Sequence, residues 1–130
     1  KEMLEFLSSR GKKMVMGTSA DSFMANTLLE SKGIKDYFSH IITADDVERG
    51  KPDPEVFLRG AGKMNINPSK TMVFEDSING VKAAYGAGML PVMIPDKLTP
   101  TEDIEDMLYK KFDDFLKVIE YFKTQETKTK

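Results

Sequence analysis

A chain of 130 residues, 40% hydrophobic and 31% charged, has the size and composition of one soluble globular domain with a single core. Lysine and arginine total 19 against 21 acidic residues, and this balance excludes electrostatic attraction to nucleic acid or to an anionic membrane as the main mode of binding. The absence of cysteine excludes disulfides and thiolate metal sites, and no apolar run approaches the roughly 20 residues of a membrane span.

The start of the chain does not have the pattern of a secretory signal, because acidic residues lie among its apolar positions. We therefore expect a cytoplasmic protein that binds neither nucleic acid nor membrane. The first residue is Lys1 rather than a methionine, which suggests that the chain begins inside a longer gene product.

The first part of the chain predicts a helix, a strand and a second helix. Apolar spacing predicts a short helix in residues 1–10. The apolar run 13–16, which Gly17 ends, predicts a buried strand. Asp21 or Ser22 can cap the second helix. The inner face predicted for that helix consists of Phe23, Met24, Thr27 and Leu28.

The middle of the chain predicts a second strand and a third helix. Residues 40–43 form the strand, and a loop over residues 45–54 follows it. Pro54 suits the first turn of a helix that Asp53 caps. The apolar residues of this helix recur at helical spacing, at Val56, Phe57, Ala61 and Met64.

The last part of the chain predicts two more strands, over residues 71–74 and 90–94, with a helix over residues 77–85 between them. Further helices are predicted from about residue 101 and over residues 113–122. Strands that alternate with helices in this way indicate βαβ units. The sequence therefore predicts an α/β fold with a Rossmann-like parallel sheet and flanking helices.

Hydroxyl residues follow the first predicted strand, at the end of the sheet where ligands bind in parallel α/β folds. Thr18 and Ser19 lie between this strand and a helix, so their hydroxyls and nearby N–H groups can hold a phosphate oxygen. The same two residues would serve equally well as a helix cap or a turn. The residues alone leave both interpretations open.

Lys51 and two carboxylates are the other candidate site residues. Gly50 and Pro52 restrict the loop around Lys51, and an ammonium held in this way can neutralise a phosphoryl group. The alternative is an ordinary surface lysine. Glu75 and Asp76 end the third strand, where they can bind Mg²⁺ or complement the dipole of the following helix.

Other polar residues predict no site of their own. His40 is interpreted as structural, because the chain has no second histidine and no cysteine. Asp45 and Asp46 also follow a strand, but their surroundings are more typical of a solvated loop. The nine methionines lie at apolar positions and are typical of core packing.

The order of these segments resembles a known family. The segments are GTS at residues 17–19, GKPDPEVF at residues 50–57 and VFEDSINGVKAAYGAGM at residues 73–89. Together they resemble the haloacid dehalogenase-like (HAD) hydrolases, and specifically the branch of β-phosphoglucomutase and related sugar-phosphate phosphatases. The resemblance extends from the start of the chain to about residue 95.

The resemblance implies a role for each candidate residue. Thr18 would bind the phosphate of the substrate or phosphoenzyme, and Ser19 would add a contact. Lys51 would stabilise the phosphate and the nucleophile. Asp76 would bind Mg²⁺ directly, and Glu75 would bind it directly or through water.

The family's first motif and its helical cap domain are missing from this sequence. Members carry Asp-x-Asp-Gly after a central strand, and the first aspartate attacks phosphorus, but no such sequence occurs here. Neither of the nearest carboxylate clusters, at residues 45–46 and 103–106, combines a preceding strand with the glycine. The resemblance thus makes residues 1–122 the C-terminal part of the core domain, incomplete without its central first strand, and residues 123–130 a polar tail.

The missing strand would lie between the first and third strands of this chain. Its loss would leave buried backbone groups unpaired, at a cost of about 1–3 kcal/mol each. A missing N-terminal segment of the same protein would fill the gap, or a second copy would, or the two edges would pair directly. We favour the first of these, a fragment of a longer enzyme.

The function implied by the resemblance is that of a Mg²⁺-dependent phosphatase or phosphomutase. It would act on a small phosphorylated metabolite, such as a sugar phosphate, through an aspartyl phosphate. The nucleophilic aspartate would lie outside this chain, which alone would be inactive. The alternative is a non-catalytic binding or assembly module. A receiver-type signalling domain fits less well, because its motifs occur in a different order.

Overall fold

The computed structural model of the protein describes residues 2–94, 102–112 and 117–123. Helices and strands alternate along most of the chain, and every strand pairing is parallel, as the sequence predicts. The strands are β1 (Val15–Gly17), β2 (His40–Ile42), β3 (Met72–Glu75), β4 (Leu90–Met93) and β5 (Lys110–Lys111). The helices are α1 (Glu2–Ser9), α2 (Ser22–Ser31), α3 (Glu55–Met64), α4 (Ile78–Gly86) and α5 (Glu102–Met107), and residues 117–123 are also helical.

Side-chain caps determine where the helices begin. Asp21 caps α2 by accepting a hydrogen bond from the Met24 N–H at 2.8 Å. Ser77 caps α4 by accepting one from the Gly80 N–H at 3.0 Å. Each cap satisfies a backbone donor that the first turn of a helix leaves without a partner. The caps therefore set the start of the two helices that follow β1 and β3.

The strands form two separate sheets rather than one. β1 pairs with β2, whereas β4 lies between β3 and β5. Within the described residues, no ladder of hydrogen bonds joins β1 to β3. Direct pairing of these two edges, which was one way to close the sheet, is therefore not what the structure shows.

A cavity of about 1160 Å³, called the cleft below, lies between the two sheets. Most of its lining is apolar and comes from the facing strands and from α1. Among the residues that line it are Val15 and Met16 of β1, Val73 and Phe74 of β3, and Met3 and Leu7 of α1. The cleft thus occupies the place where the resemblance puts a missing strand.

The predicted inner face of α2 is wrong. All four residues expected to face inward are exposed: Phe23 by 80%, Met24 by 60%, Leu28 by 54%, and Thr27 as well. The buried residues are instead Ala25 and Leu29, four positions apart on one face of the helix. Apolar residues lie on two sides of α2, so its periodicity did not show which side faces the core.

The C-terminal part of the chain adds a strand that the sequence did not predict. Lys110 and Lys111 of β5 pair with Val92 and Met93 of β4, and both lysine side chains are exposed. An exposed pair of lysines carries no hydrophobic alternation that would predict a strand. Of the predicted helix over residues 113–122, the first four residues lie outside the described residues, as does most of the predicted tail.

The most deeply buried part of the core surrounds β4. Val92 and Met93 are fully buried, as is Val81 of α4, and Ile104 of α5 packs against Val81 and Met93. α4 and β4 therefore provide the rigid frame that holds the end of β3.

In the part of the chain that the structure describes, no helix combines the length and apolar character needed to cross a membrane.

Candidate active site

The five residues predicted as a site all line the cleft. Thr18 and Ser19 follow β1, Glu75 ends β3, Asp76 comes next, and Lys51 lies in the loop before α3. The carboxyl ends of parallel strands lie at the same edge of a sheet, which explains why residues distant in sequence meet here. The structure therefore brings these five residues together at one end of the cleft.

Lys51 connects the ends of the two sheets. Its Nζ donates a hydrogen bond to the Gly17 carbonyl of β1 at 3.1 Å and lies 3.0 Å from Glu75 Oε1 of β3. The same ammonium lies 4.9 Å from the centre of the Phe57 ring, in cation–π geometry. The Lys51 and Glu75 side chains are each only 11% exposed. Lys51 is therefore not an ordinary surface lysine.

Glu75, which pairs with Lys51, has a second carboxylate, Asp76, next to it at the end of β3. Burial raises the pKa of Glu75, the Lys51 charge lowers it, and the neighbouring Asp76 charge raises it again, with a net increase. Burial is the largest cause of the raised pKa, so the Lys51 charge does not fully offset the cost of ionising the Glu75 carboxyl. A cation bound beside Asp76 would therefore favour the ionised form of Glu75.

A family model described as haloacid dehalogenase-like hydrolase matches residues 1–88. The chain belongs to the haloacid dehalogenase-like hydrolases. It is 39% identical to the phosphorylated carbohydrates phosphatase of Thermotoga maritima over 89 residues, which are 68% of this chain and 41% of that protein. It is 41% identical to the fructose-1-phosphate phosphatase YqaB of Escherichia coli over 76 residues, 58% of this chain and 40% of that one.

Solved structures show the same fold. The β-phosphoglucomutase of Clostridium difficile superposes with a TM-score of 0.79 at 24% identity, covering 98% of this chain and 55% of that one. The predicted HAD family, in its sugar-phosphate phosphatase and β-phosphoglucomutase branch, is therefore confirmed. The chain spans less than half the length of the curated relatives described above.

Thr18 of this HAD chain stabilises a turn and also lines the cleft. Its N–H donates to the Ile42 carbonyl at 2.9 Å, and its Oγ1 accepts from the Ala20 N–H at 3.1 Å. The hydroxyl thus stabilises the turn after β1 while it lines the cleft. Ser19 is exposed at the same turn. The turn role is observed, and the hydroxyl proton of Thr18 can still be donated to a ligand.

Asp45 and Asp46 have structural partners near the HAD site. Asp45 Oδ2 accepts a hydrogen bond from the Ser22 N–H at 2.8 Å, which joins the turn after β2 to the start of α2. Asp46 Oδ2 accepts from the Thr43 N–H at 2.8 Å and from its hydroxyl at 3.1 Å. Both aspartates are exposed, as expected of a loop, but they fix the loop's shape.

Carboxylate oxygens of Glu75 and Asp76 are the donors that a hard divalent cation prefers. The described residues contain no group of three His, Cys, Asp or Glu side chains that could hold a metal ion, either at this site or elsewhere. Mg²⁺ is commonly held by one or two carboxylates and several waters, so this donor set fits it.

Gly80 and Phe57 contact the site but were not among the candidate residues. Phe57 was predicted only as an apolar residue of α3, and nothing in its spacing indicates a lysine above its ring. Gly80 lies in the first turn of α4, against the Glu75 carboxylate. The position of Gly80 inside the predicted helix was a signal in the sequence. Glycine weakens a helix, so its presence there suggests that a neighbouring group leaves no room for a side chain.

Proposed function

We propose that this chain is part of a Mg²⁺-dependent phosphatase or phosphomutase that acts on a small phosphorylated metabolite, such as a sugar phosphate. Two relatives named as phosphatases of phosphorylated carbohydrates and of fructose 1-phosphate support this substrate class. The observation that carries the proposal is the buried ammonium of Lys51 between the ends of β1 and β3. It is a fixed positive charge at the carboxyl end of a parallel sheet.

Each residue of the site has a role in this reaction. An aspartate from outside the chain attacks phosphorus, the P–O bond to the substrate breaks, and the substrate leaves as an alcohol. The phosphoryl group of the resulting aspartyl phosphate then passes to water or to a second hydroxyl, which frees the aspartate. Lys51 stabilises the charge on the transferring phosphoryl group and orients the nucleophile. Thr18 donates its hydroxyl to a phosphate oxygen, and Ser19 adds a second contact.

Asp76 and Glu75 would hold Mg²⁺ at the end of β3. The exposed Asp76 is free to act as the direct ligand, while Glu75, which is paired with Lys51, contributes directly or through water. When bound, the cation neutralises charge on the phosphoryl oxygens. Burial raises the pKa of Glu75, and a cation here would favour the ionised carboxylate, which supports the assignment of a cation to this place.

The nucleophile reaches the site on a further strand that fills the cleft. The cleft lies between β1 and β3, which no ladder joins within the described residues, and it is lined by apolar side chains of both. A preceding segment of the same protein can supply this strand. A second copy of the chain can fill the cleft but not supply the nucleophile, because its sequence also lacks Asp-x-Asp-Gly. We therefore favour the preceding segment, in a cytoplasmic enzyme.

The decisive experiment compares the 130-residue chain with the longer protein encoded by the same gene. We expect the codons upstream of Lys1 to encode a strand followed by Asp-x-Asp-Gly. The longer protein should hydrolyse fructose 1-phosphate or a related sugar phosphate with Mg²⁺, and the 130-residue chain should not. An open reading frame that starts at or just before Lys1 would favour the non-catalytic module instead.

Substitutions in the longer protein test the roles of individual residues. Asp76→Asn and Lys51→Met should each lower kcat by about a hundredfold or more, as does the loss of a group that stabilises transition-state charge. Asp36→Asn and Lys63→Met replace exposed residues that do not line the cleft and are the matched controls. Turnover by the 130-residue chain that Asp76→Asn abolishes would contradict a nucleophile outside this chain.

A further inference from the structure

Gly80 occupies a helical position that its backbone does not require to be glycine. It is the third residue of α4 and is buried. Within the described residues, positive φ values occur at Gly11, Gly33, Gly88 and Asn65. The backbone φ of Gly80 is not positive. Alanine can adopt the same conformation and favours a helix more than glycine does. The reason for a glycine must therefore lie in the space around it.

The space beside Gly80 is filled by the Glu75 carboxylate. An ideal Cβ built on Gly80 would overlap the Glu75 carboxylate, with contacts well under 3.0 Å. Real Cβ atoms essentially never make such contacts, so an alanine would force Glu75 to move. The glycines of α3 differ in this respect, because a Cβ on Gly60 would meet the apolar side chain of Val15 and one on Gly62 would meet nothing within 4 Å.

The position of Glu75 in turn determines where Lys51 lies. From its place beside α4, the Glu75 carboxylate contacts the Lys51 ammonium at 3.0 Å, and the ammonium also donates to the Gly17 carbonyl. Both side chains are largely buried, so few other partners are available to either. A Glu75 that is displaced from Gly80 no longer holds the ammonium at the end of the cleft.

We propose that Gly80 is a positioning residue. Because Gly80 has no side chain, the Glu75 carboxylate can occupy the space beside it, and from there it holds Lys51 at the end of the cleft that Thr18 and Asp76 also line. The proposal rests on the proposed function for the role of Lys51. The contact between Gly80 and Glu75 does not depend on that function. The two can therefore be tested separately.

Thermal unfolding of the longer protein tests the contact itself. Gly80→Ala should lower the unfolding midpoint by about 3 °C or more, the size of shift expected when a strained contact replaces a good one. In a Glu75→Ala background, Gly80→Ala should instead raise the midpoint, because the overlap is gone and the gain in helix propensity remains. Gly62→Ala is the matched control and should not lower the midpoint in either background.

Kinetics of the same variants test the positioning role. Gly80→Ala should lower kcat by about tenfold or more, with KM changed far less, because a misplaced charge weakens the transition state more than the ground state. In a Lys51→Met background, Gly80→Ala should produce no further loss of kcat. If Gly80 only stabilised the fold, Gly80→Ala would lower kcat by the same factor with and without Lys51→Met.

The possible failures are distinguishable. If Gly80→Ala shifts the midpoint equally with and without Glu75, or leaves kcat unchanged, the inference is overturned while the proposed function stands. If the longer protein has no phosphatase activity but the two residues remain coupled in unfolding, the proposed function fails and the contact is supported. If Gly80→Ala does not fold, the double variant with Glu75→Ala must fold, and its failure to do so would overturn the inference.

Discussion

β4 and β1 are both short apolar strands, but they differ in how they are covered. β4 has a parallel strand on each side, and its residues Val92 and Met93 are fully buried. β1 has β2 on one side and the cleft on the other, and all three of its residues remain half-buried. The difference lies in the neighbours rather than in the residue types, because the strands are of similar composition.

This comparison shows which part of the molecule is self-sufficient. The β3–β4–β5 sheet is covered by α4 and α5, where Met93 of the sheet packs against Val81 of α4 and Ile104 of α5. The β1–β2 sheet is covered by α3 but presents its free side to the cleft. Lys51 joins the ends of β1 and β3, and α3 also packs against β3 and α4 through a buried cluster that includes Ala61, Val73 and Ala84. The candidate site therefore lies where the covered and uncovered regions meet.

The largest expected effect comes from truncating the same residue type in each region. Met93→Ala should lower the free energy of unfolding of the 130-residue chain by about 4 kcal/mol, because Met93 is fully buried. Met16→Ala in β1 should cost only about 1 kcal/mol, because Met16 is half-buried against the cleft. Urea denaturation monitored by circular dichroism measures both costs.

The longer protein sharpens this result. If a further strand fills the cleft, the cost of Met16→Ala there should rise towards the cost of Met93→Ala, because Met16 becomes buried on both sides. Equal costs in the 130-residue chain would show that β1 is already as well covered as β4. That outcome would contradict the cleft between the two sheets.

The sequence predicted those parts of the fold and site that depend on local chemistry. Asp21 and Ser77 begin helices because their side chains accept backbone hydrogen bonds, and the strands that end at Gly17 and Glu75 have short apolar runs. The family resemblance then predicted that Lys51 lies in the same site as the residues that follow these strands. These features need few long-range contacts to be recognised.

The features that the sequence did not predict depend on tertiary packing. Phe23 on α2 is exposed although it is strongly apolar, because helix periodicity does not identify the element that a face contacts. Lys110 and Lys111 form β5 by pairing with β4, and their side chains show no hydrophobic alternation that would predict a strand. The pairing of Glu75 with Lys51 depends on the space at Gly80, which only the structure shows.

A smaller effect is expected from breaking the contact that joins the two regions. Lys51→Met should lower the free energy of unfolding of the 130-residue chain by about 2–3 kcal/mol, because it leaves the largely buried Glu75 carboxylate without its partner. Adding Glu75→Gln should recover most of this loss. The exposed pair of Lys35 and Glu30 is the control, and Lys35→Met should cost at most about 0.5 kcal/mol. Equal losses for the two lysines would show that Lys51 does not connect the sheets.

The smallest expected effect concerns the β1–β2 region and depends on pH. Glu55 accepts hydrogen bonds from the N–H groups of Glu48 and Arg49 and pairs with Arg59 at 2.8 Å. These contacts, the Arg59 hydrogen bond foremost, hold the pKa of Glu55 below its ordinary value of 4.5. Because the pKa is lower in the folded state, Glu55 stabilises the fold at neutral pH, and this stabilisation is lost as the pH falls through the lowered pKa.

Glu55→Gln should therefore lower the midpoint of thermal unfolding at pH 7, with a difference from the unsubstituted chain that shrinks as the pH falls below about 4.5. Glu30→Gln changes an exposed carboxylate that does not contact this loop and is the matched control. The contact holds the loop that leads into Lys51, so its loss should loosen the β1–β2 region first. Hydrogen exchange of β2 amides should then increase more than that of β4 amides. An equal increase in both strands would mean that the two sheets open together rather than as separate regions.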